Sequence, residues 1–447
     1  MKYHIYISLI LGAMGLALPL QGQDQLSLDD AIREALQNNY GISIARYNVQ
    51  QAENQAHLGA AGGLPSVNLS GGSNGGFTRN TSITLNQPDQ QAGTPTTEIT
   101  GGDIGTYGFN ASLGIGYTLS LASYTNFDVL KTNAAQSKES LFLTIEQTAS
   151  QISSAYYNLG RLADAYTLQE EALAQSRERL AYVQNQSDFG QANRVAILNA
   201  QVSVNTDSIS LVQSEANLSN AKRDLNYLMG RDVETDFAVN TDVSPLQTFS
   251  LTQLEQEARA YNSSLRIADY GRKLAELNLK ASRQSAYPTL SVNGSYAYQF
   301  ADNGPVSVLT QQSSDGLSVS GTISFPIFNG NQIRRNIQNA EIGIASSQSS
   351  FKQAEQQVIR DLNKAYATYL NSIEVLDLSQ KSLEAAQANF DRTKELFELG
   401  QASSVLFRDA QVNLVRVKYQ LRDLLYTVKT SEVQLMQLSG QLVKEKE

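Results

Sequence analysis

The sequence predicts a mainly α-helical chain with a β-barrel portion, built as two tandem repeats of a strand hairpin followed by a long coiled-coil helical hairpin. Three observations predict it. Distinct segments recur along the chain, the prolines stay out of two long helical runs, and the stretches before those runs alternate strictly between apolar and small polar residues.

The recurrence is clearest between Gly190-Gln191-Ala192-Asn193-Arg194-Val195 and Gly400-Gln401-Ala402-Ser403-Ser404-Val405, at an offset of 210 residues. At that offset Leu228-Met229-Gly230 falls on Leu438-Ser439-Gly440. Earlier segments match at an offset of 223: Leu26-Ser27-Leu28 with Phe249-Ser250-Leu251, and Leu64-Pro65-Ser66-Val67 with Tyr287-Pro288-Thr289-Leu290. The change of offset places an insertion in the first copy, in the Gly/Thr/Pro-rich run from Thr81 to Gly105, because loops absorb extra length at little cost.

The repeats set the domain boundaries. Residues 1–22 carry Lys2, an apolar run to Leu20 and then Gln21-Gly22-Gln23, the pattern of a signal peptide, with no cysteine after it to take a lipid anchor. Repeat 1 covers 23–230, with strands near 66–80 and 107–121 and a helical hairpin over 122–229. A linker over 231–249 leads to repeat 2, residues 250–440, with strands near 289–301 and 316–328 and a hairpin over 331–438; a tail of 441–447 follows.

Proline cannot sit inside a helix without breaking it, and none lies between Ala122 and Asp188 or between Asn331 and Leu399. Helices of that length reach on the order of 100 Å. The helices that return after the two Gly-Gln-Ala turns carry a seven-residue seam in the same phase, Val204, Leu211, Leu218, Leu225 and Leu414, Leu421, Val428, Leu435. They are about half as long as their partners at 1.5 Å per residue. The segments 27–61 and 250–284 supply the missing length, so that two short helices stack end to end against each long one.

In the predicted strands Leu290, Val292, Tyr296, Tyr298 and Phe300 share one face, while Ser291, Asn293, Ser295 and Gln299 share the other. Leu317, Val319, Ile323, Phe325 and Ile327 repeat the pattern, as do Phe109, Leu113, Ile115, Tyr117 and Leu119. Such alternation suits a lipid-facing barrel strand with a wet interior, and it also suits a half-buried sandwich strand. The barrel reading fits the neighbouring helices, which offer coiled-coil seams rather than a broad face to cover a sheet. Past residue 22 no stretch approaches the roughly 18 to 20 apolar residues of a spanning helix, so any membrane crossing is by strands. Four strands cannot close a barrel, and open edges cannot face lipid, so the chain must then oligomerise; three copies and twelve strands form the smallest ring with an open interior.

Composition narrows the function. The chain has 447 residues and no cysteine, which excludes thiol chemistry and Cys-based metal sites. Of its two histidines, His4 lies in the leader and His57 stands alone in a polar helical stretch, so no metal site and no cofactor is expected. A balance of 34 basic and 43 acidic residues, net −9, opposes nucleic-acid binding. The carboxylate pairs Glu170 with Glu171 and Glu255 with Glu257 read as solvated helix faces, and no phosphate loop or nucleophile elbow is present, so an enzyme is not expected.

From Leu26-Ser27-Leu28-Asp29-Asp30-Ala31 to Leu438-Ser439-Gly440 the chain resembles the TolC-type outer-membrane efflux proteins. The resemblance implies a homotrimer in the outer membrane with a periplasmic helical tube, partnered by a periplasmic adaptor and an inner-membrane pump of the RND or ABC type. It further implies that Gly190, Gln191, Ala192 and Gly400, Gln401, Ala402 form the periplasmic tip that docks the adaptor. Glycine at such turns also has a plain reading as a helix terminator. One of the acidic positions that constrict the tip in well-studied members matches Asp409, and the other falls on Leu406. Asp409 equally suits a solvated position beside Arg408. Where those members lock the tip with a tyrosine, an arginine and an aspartate, this chain carries Phe397, Ala402 and Ala196, so its gate is expected to differ. The rival readings are a coiled-coil surface protein and a periplasmic adaptor, but an adaptor matches one hairpin only.

Overall fold

The computed structural model describes residues 25–79, 82–85, 97–100, 104–190, 192–241, 243, 246–303 and 310–443. The leader-like segment 1–22 and Gln191 lie outside the described residues. The first repeat holds β1 (Gln25–Leu26), α1 (Leu28–Asn38), α2 (Tyr40–Gln55), β2 (Ser66–Thr78), β3 (Ser82–Leu85), β4 (Thr97–Thr100), β5 (Ile104–Leu119), α3 (Leu121–Asp188) and α4 (Arg194–Met229). After β6 (Ala238–Val239) the second repeat holds α5 (Leu251–Tyr261), α6 (Ser263–Gln284), β7 (Thr289–Asp302), β8 (Gln311–Ser324), α7 (Gln332–Glu398) and α8 (Ser404–Leu438). The sequence repeats are not the spatial units: the chain divides into two compact units, and each takes pieces from both repeats.

One unit comprises Ile44–Leu143 and Ser263–Gln357 and contains a four-stranded antiparallel sheet in the order β2-β5-β7-β8. Its middle pair joins the repeats, from Tyr107 opposite Asp302 to Leu119 opposite Leu290. On the small polar face, hydroxyl pairs cross the ladder between Ser70 and Ser112 at 2.8 Å, Thr118 and Ser291 at 3.1 Å, and Ser295 and Ser318 at 2.8 Å. The apolar face is bare: Leu69 is 80% exposed and Leu317 75% exposed, so among the described residues no second sheet packs on it as a sandwich requires. In this sheet β2 and β8 each have one strand neighbour, which leaves two open edges.

Two expected boundaries shift. The last strand runs over Gln311–Ser324 rather than 316–328, so Phe325 and Ile327 fall outside it, because Pro326 has no N–H to extend the ladder. The insertion between Thr81 and Gly105 is not wholly loop, for β3 and β4 pair antiparallel from Ser82 opposite Thr100 to Leu85 opposite Thr97.

The other unit comprises Met1–Ser43, Thr144–Asn262 and Val358–Glu447. Here the sequence reading needs a second correction: each segment read as one short helix is two, broken at Asn39 and Asn262, whose backbones are extended. The break is set by tertiary contact. Asn39 Nδ2 donates to the Leu228 carbonyl at 2.7 Å and Asn262 Nδ2 to the Leu438 carbonyl at 3.0 Å, satisfying C=O groups that the ends of α4 and α8 leave free. Repeat-related tyrosines pin the entries of α1 and α5: Tyr156 Oη donates to the Leu26 carbonyl at 2.9 Å, and Tyr366 Oη to the Phe249 carbonyl at 3.3 Å. Around the first of these a core gathers Leu26, Ile152, Leu159, Leu225, Met229 and Phe237. A short parallel pair of β1 with β6, which the sequence did not announce, ties the linker to the residues just before α1.

The seven-residue seams face inward, with Leu225, Val428 and Leu435 fully buried. Among the described residues no helix is long and apolar enough to cross a membrane.

Candidate functional site: the tips of the helical hairpins

Both turns use the same local grammar. Gly190 and Gly400 sit at φ 75° and 72°, a left-handed backbone that glycine adopts without penalty. At the second turn the Gly400 N–H donates to the Phe397 carbonyl at 3.0 Å and the Gln401 N–H to the Leu396 carbonyl at 2.7 Å, closing α7. The next helix then opens on a side-chain cap. Asn193 Oδ1 accepts from the Ala196 N–H at 2.9 Å, and Ser403 Oγ from the Leu406 N–H at 3.2 Å. A Cβ built on Gly190 or Gly400 would meet nothing within 4 Å, so both turns open to solvent. Apolar residues flank them in repeat-related pairs: Phe189 and Leu399, Val195 and Val405, all exposed. Ala192 and Ala402 turn the other way, into the core beneath.

That core accounts for the departures read from the sequence. Phe397 is buried and stacks on Phe407 with ring centroids 4.9 Å apart and planes 10° from parallel, and Tyr182 lies 4.8 Å from it. Ala196 and Ala402 pack against the same cluster. Positions that hold polar locking groups in the resembled family here form an apolar plug joining α3, α4, α7 and α8.

The polar contacts move further along the helices. Arg408 forks onto Asp207, with both Nη–Oδ distances 2.8 Å, and also donates to Ser176 Oγ at 2.9 Å. Ser176 itself donates to Asp207, and Gln411 Nε2 reaches the Ala172 carbonyl at 3.3 Å. Asp207 lies thirteen residues into α4, about 20 Å from the turn. This network ties α3, α4 and α8 together, and the sequence reading missed it. The available signal was Asp207 itself, a carboxylate three residues after Val204 at the second apolar position of the seam.

Asp409 and Leu406 both lie exposed on the first turns of α8, three residues apart and away from the buried face formed by Phe407, Ala410 and Leu414. Arg408 turns inward to Asp207, so it does not pair with Asp409.

Comparison with known proteins fits this geometry. The model of the outer membrane efflux protein family matches residues 31–231 and 254–441, nearly the whole of both repeats. The chain belongs to that family. It is accordingly an outer-membrane efflux channel. Among curated relatives of this efflux protein, the cation efflux system protein CusC of Escherichia coli K12 is 24% identical over 417 residues, covering 92% of this chain and 85% of the relative. The probable outer membrane lipoprotein SilC of Salmonella typhimurium is 22% identical over 419 residues, with 92% and 84% covered. The solvent efflux pump outer membrane protein SrpC of Pseudomonas putida is 25% identical over 281 residues, with 61% and 58% covered. Solved structures share the fold. A crystal structure of CusC aligns with TM-score 0.71 at 20% identity, covering 94% of this chain and 93% of that one. The Campylobacter jejuni CmeC outer membrane channel aligns with TM-score 0.73 at 15% identity, covering 98% and 95%.

Proposed function

We propose that three copies of this chain close a twelve-stranded barrel in the outer membrane and continue it as a periplasmic helical tube. This forms the exit duct through which an inner-membrane pump, with a periplasmic adaptor, expels its substrates. The observation that carries the reading is the sheet: four strands, one bare apolar face, one small polar face and two open edges. Lipid tolerates neither the edges nor an uncovered polar face, and joining β8 of one copy to β2 of the next removes both problems. An unpartnered stripe on α4, Val195, Leu198, Val202, Ile209 and Val212 at heptad spacing, supplies a matching helical contact for a neighbouring copy.

The duct is passive in this reading. Relatives named for cations, solvents and antibiotics share one family, as expected if the pump rather than the duct selects cargo. The turns at Gly190 to Ala192 and Gly400 to Ala402 serve as the adaptor dock, with Phe189 and Leu399 as apolar contacts. Leu406 and Asp409 line the narrowest passage, where a threefold set of carboxylates favours cations.

The test is the mass and conductance of the purified protein in planar bilayers. A trimer with stepwise conductance is expected, and a monomer without conductance would refute the duct. Asp409→Ala should lower cation preference; an unchanged reversal potential would remove Asp409 from the passage.

A further inference from the structure

The two repeats leave the sheet differently. In the first, a single residue separates the end of β5 at Leu119 from the start of α3 at Leu121. In the second, residues 325–331 lie between β8 and α7. This added segment, Phe325-Pro326-Ile327-Phe328-Asn329-Gly330-Asn331, turns on Gly330 and Asn331 at φ 67° and 64°, and Asn331 is the only non-glycine residue in left-handed backbone among the described residues. It holds Ile327 and Phe328 89% and 79% exposed. Two exposed arginines follow, Arg334 and Arg335, in the first turn of α7. Cations there oppose the helix dipole, and neither guanidinium has a partner among the described residues. The next carboxylate on α7, Glu341, pairs with Arg283 at 3.1 Å.

The chain carries no Asp, Glu, Lys or Arg over 58–78, 104–127, 284–301 and 316–333. A charge-free band therefore covers most of the sheet and continues past its last ladder pair, Thr289 opposite Ser324, into the added segment. Residues 316–324, at ~3.3 Å per residue and a tilt of about 40°, span ~23 Å of the bilayer normal, just short of the ~25 Å apolar belt of a bacterial barrel. Phe325, Ile327 and Phe328 then fall at the edge of the belt, with Arg334 and Arg335 at the depth of the lipid headgroups. A neighbouring copy supplies no carboxylate there. The edge that β8 would meet, β2, lies within the charge-free run 58–78, and Glu53 before it pairs with Lys138 at 2.7 Å.

We propose that residues 325–335 form an anchor for anionic phospholipid at the periplasmic end of the sheet: Ile327 and Phe328 enter the acyl-chain boundary, and Arg334 and Arg335 bind the headgroup phosphate. The anchor rests on the reading of the sheet as a membrane-spanning part of a barrel, and it is independent of what the duct carries.

The sequence contains no tryptophan, so a single introduced one reports only its own surroundings. The full chain carrying Phe328→Trp is reconstituted into vesicles of phosphatidylglycerol and phosphatidylcholine at equal mole fraction, with bromine on the acyl chains of one lipid or the other. Fluorescence quenching should show phosphatidylglycerol preferred at that position by at least about fivefold, the factor that one arginine near an anionic surface contributes. Adding Arg334→Gln and Arg335→Gln should bring the preference close to one, and raising salt to about 0.5 M should reduce it. Val319→Trp, on the bare face of the sheet, should be quenched by both lipids without preference. Quenching at Val319→Trp with no lipid preference at Phe328→Trp, or a preference that survives loss of both arginines, would overturn the anchor and leave the barrel standing. Absence of quenching at Phe328→Trp alone would overturn it too, because a neighbouring copy then covers the segment. Absence of quenching at Val319→Trp by either lipid would remove the barrel reading and the anchor together.

Discussion

Four glycines with nearly the same backbone conformation should respond very differently to one added methyl group. Gly190, Gly230, Gly400 and Gly440 all end helices at φ between 72° and 75°. A left-handed alanine costs about 1 kcal/mol at any of them. At Gly190 and Gly400 the added Cβ meets open space, so the cost of Gly→Ala stops there. At Gly230 the Cβ would come within 2.4 Å of the Asn38 carbonyl oxygen, and at Gly440 within 2.8 Å of the Tyr261 carbonyl. These atoms are backbone and cannot rotate away, so α4 or α8 must retreat from the helix junction it abuts. Overpacking of this kind adds about 1–3 kcal/mol, and loss of the adjoining Asn39 or Asn262 hydrogen bond adds about 1. The expected totals are therefore about 1 kcal/mol for Gly190→Ala or Gly400→Ala and about 3–5 for Gly230→Ala or Gly440→Ala. Denaturant unfolding followed by circular dichroism, with hydrogen exchange over residues 28–55 and 251–284, reads both the loss and its place. Equal destabilisation at all four positions would refute the argument that packing, not torsion, separates them.

Other predictions concern the polar network and the tip. Asp207→Asn leaves Arg408 and the buried Arg179 of α3 facing each other without an anion, and breaking a buried pair in this way costs about 3–5 kcal/mol. Adding Arg408→Met should recover part of that loss, and a double-mutant cycle showing simple additivity would break the coupling. Phe189→Glu together with Leu399→Glu should abolish co-purification of the adaptor while leaving bilayer conductance intact; unimpaired capture would move the dock elsewhere. Asp164, half-buried against Tyr426 and Arg422, has its carboxyl pKa raised chiefly by desolvation, so its ionised form opposes folding. The native state then binds the proton more readily than the unfolded chain, and stability is lost as pH rises from the ordinary carboxylate range through the raised value. Relative to Asp164→Asn, the unaltered protein should gain stability as pH falls through that window. A difference constant with pH would show that Arg422 and Tyr426 fully offset the burial.

Much of this was written into the linear pattern. The offset of 210 between the Gly-Gln-Ala turns located both hairpins, because a helix needs a left-handed terminator and a cap wherever it reverses, and Asn193 and Ser403 supply the caps. The alternation through Leu290 to Phe300 found its strand because side chains on a pleated strand point to opposite faces. The breaks at Asn39 and Asn262 escaped the same reading, since an asparagine inside a helical pattern looks alike whether it faces water or the end of a distant helix.

The sequence by itself determined the repeat, the helix ends and the two-faced strands, since each depends on residues within a few positions of one another. Only the tertiary structure decided that Gly230 is wedged where Gly190 is free, that Phe397 fills a plug where a polar lock was the family expectation, and that Asp207 answers Arg408 across 201 residues. Those outcomes depend on which distant atoms share a small volume and which charges must be compensated there, and a period along the chain does not encode them.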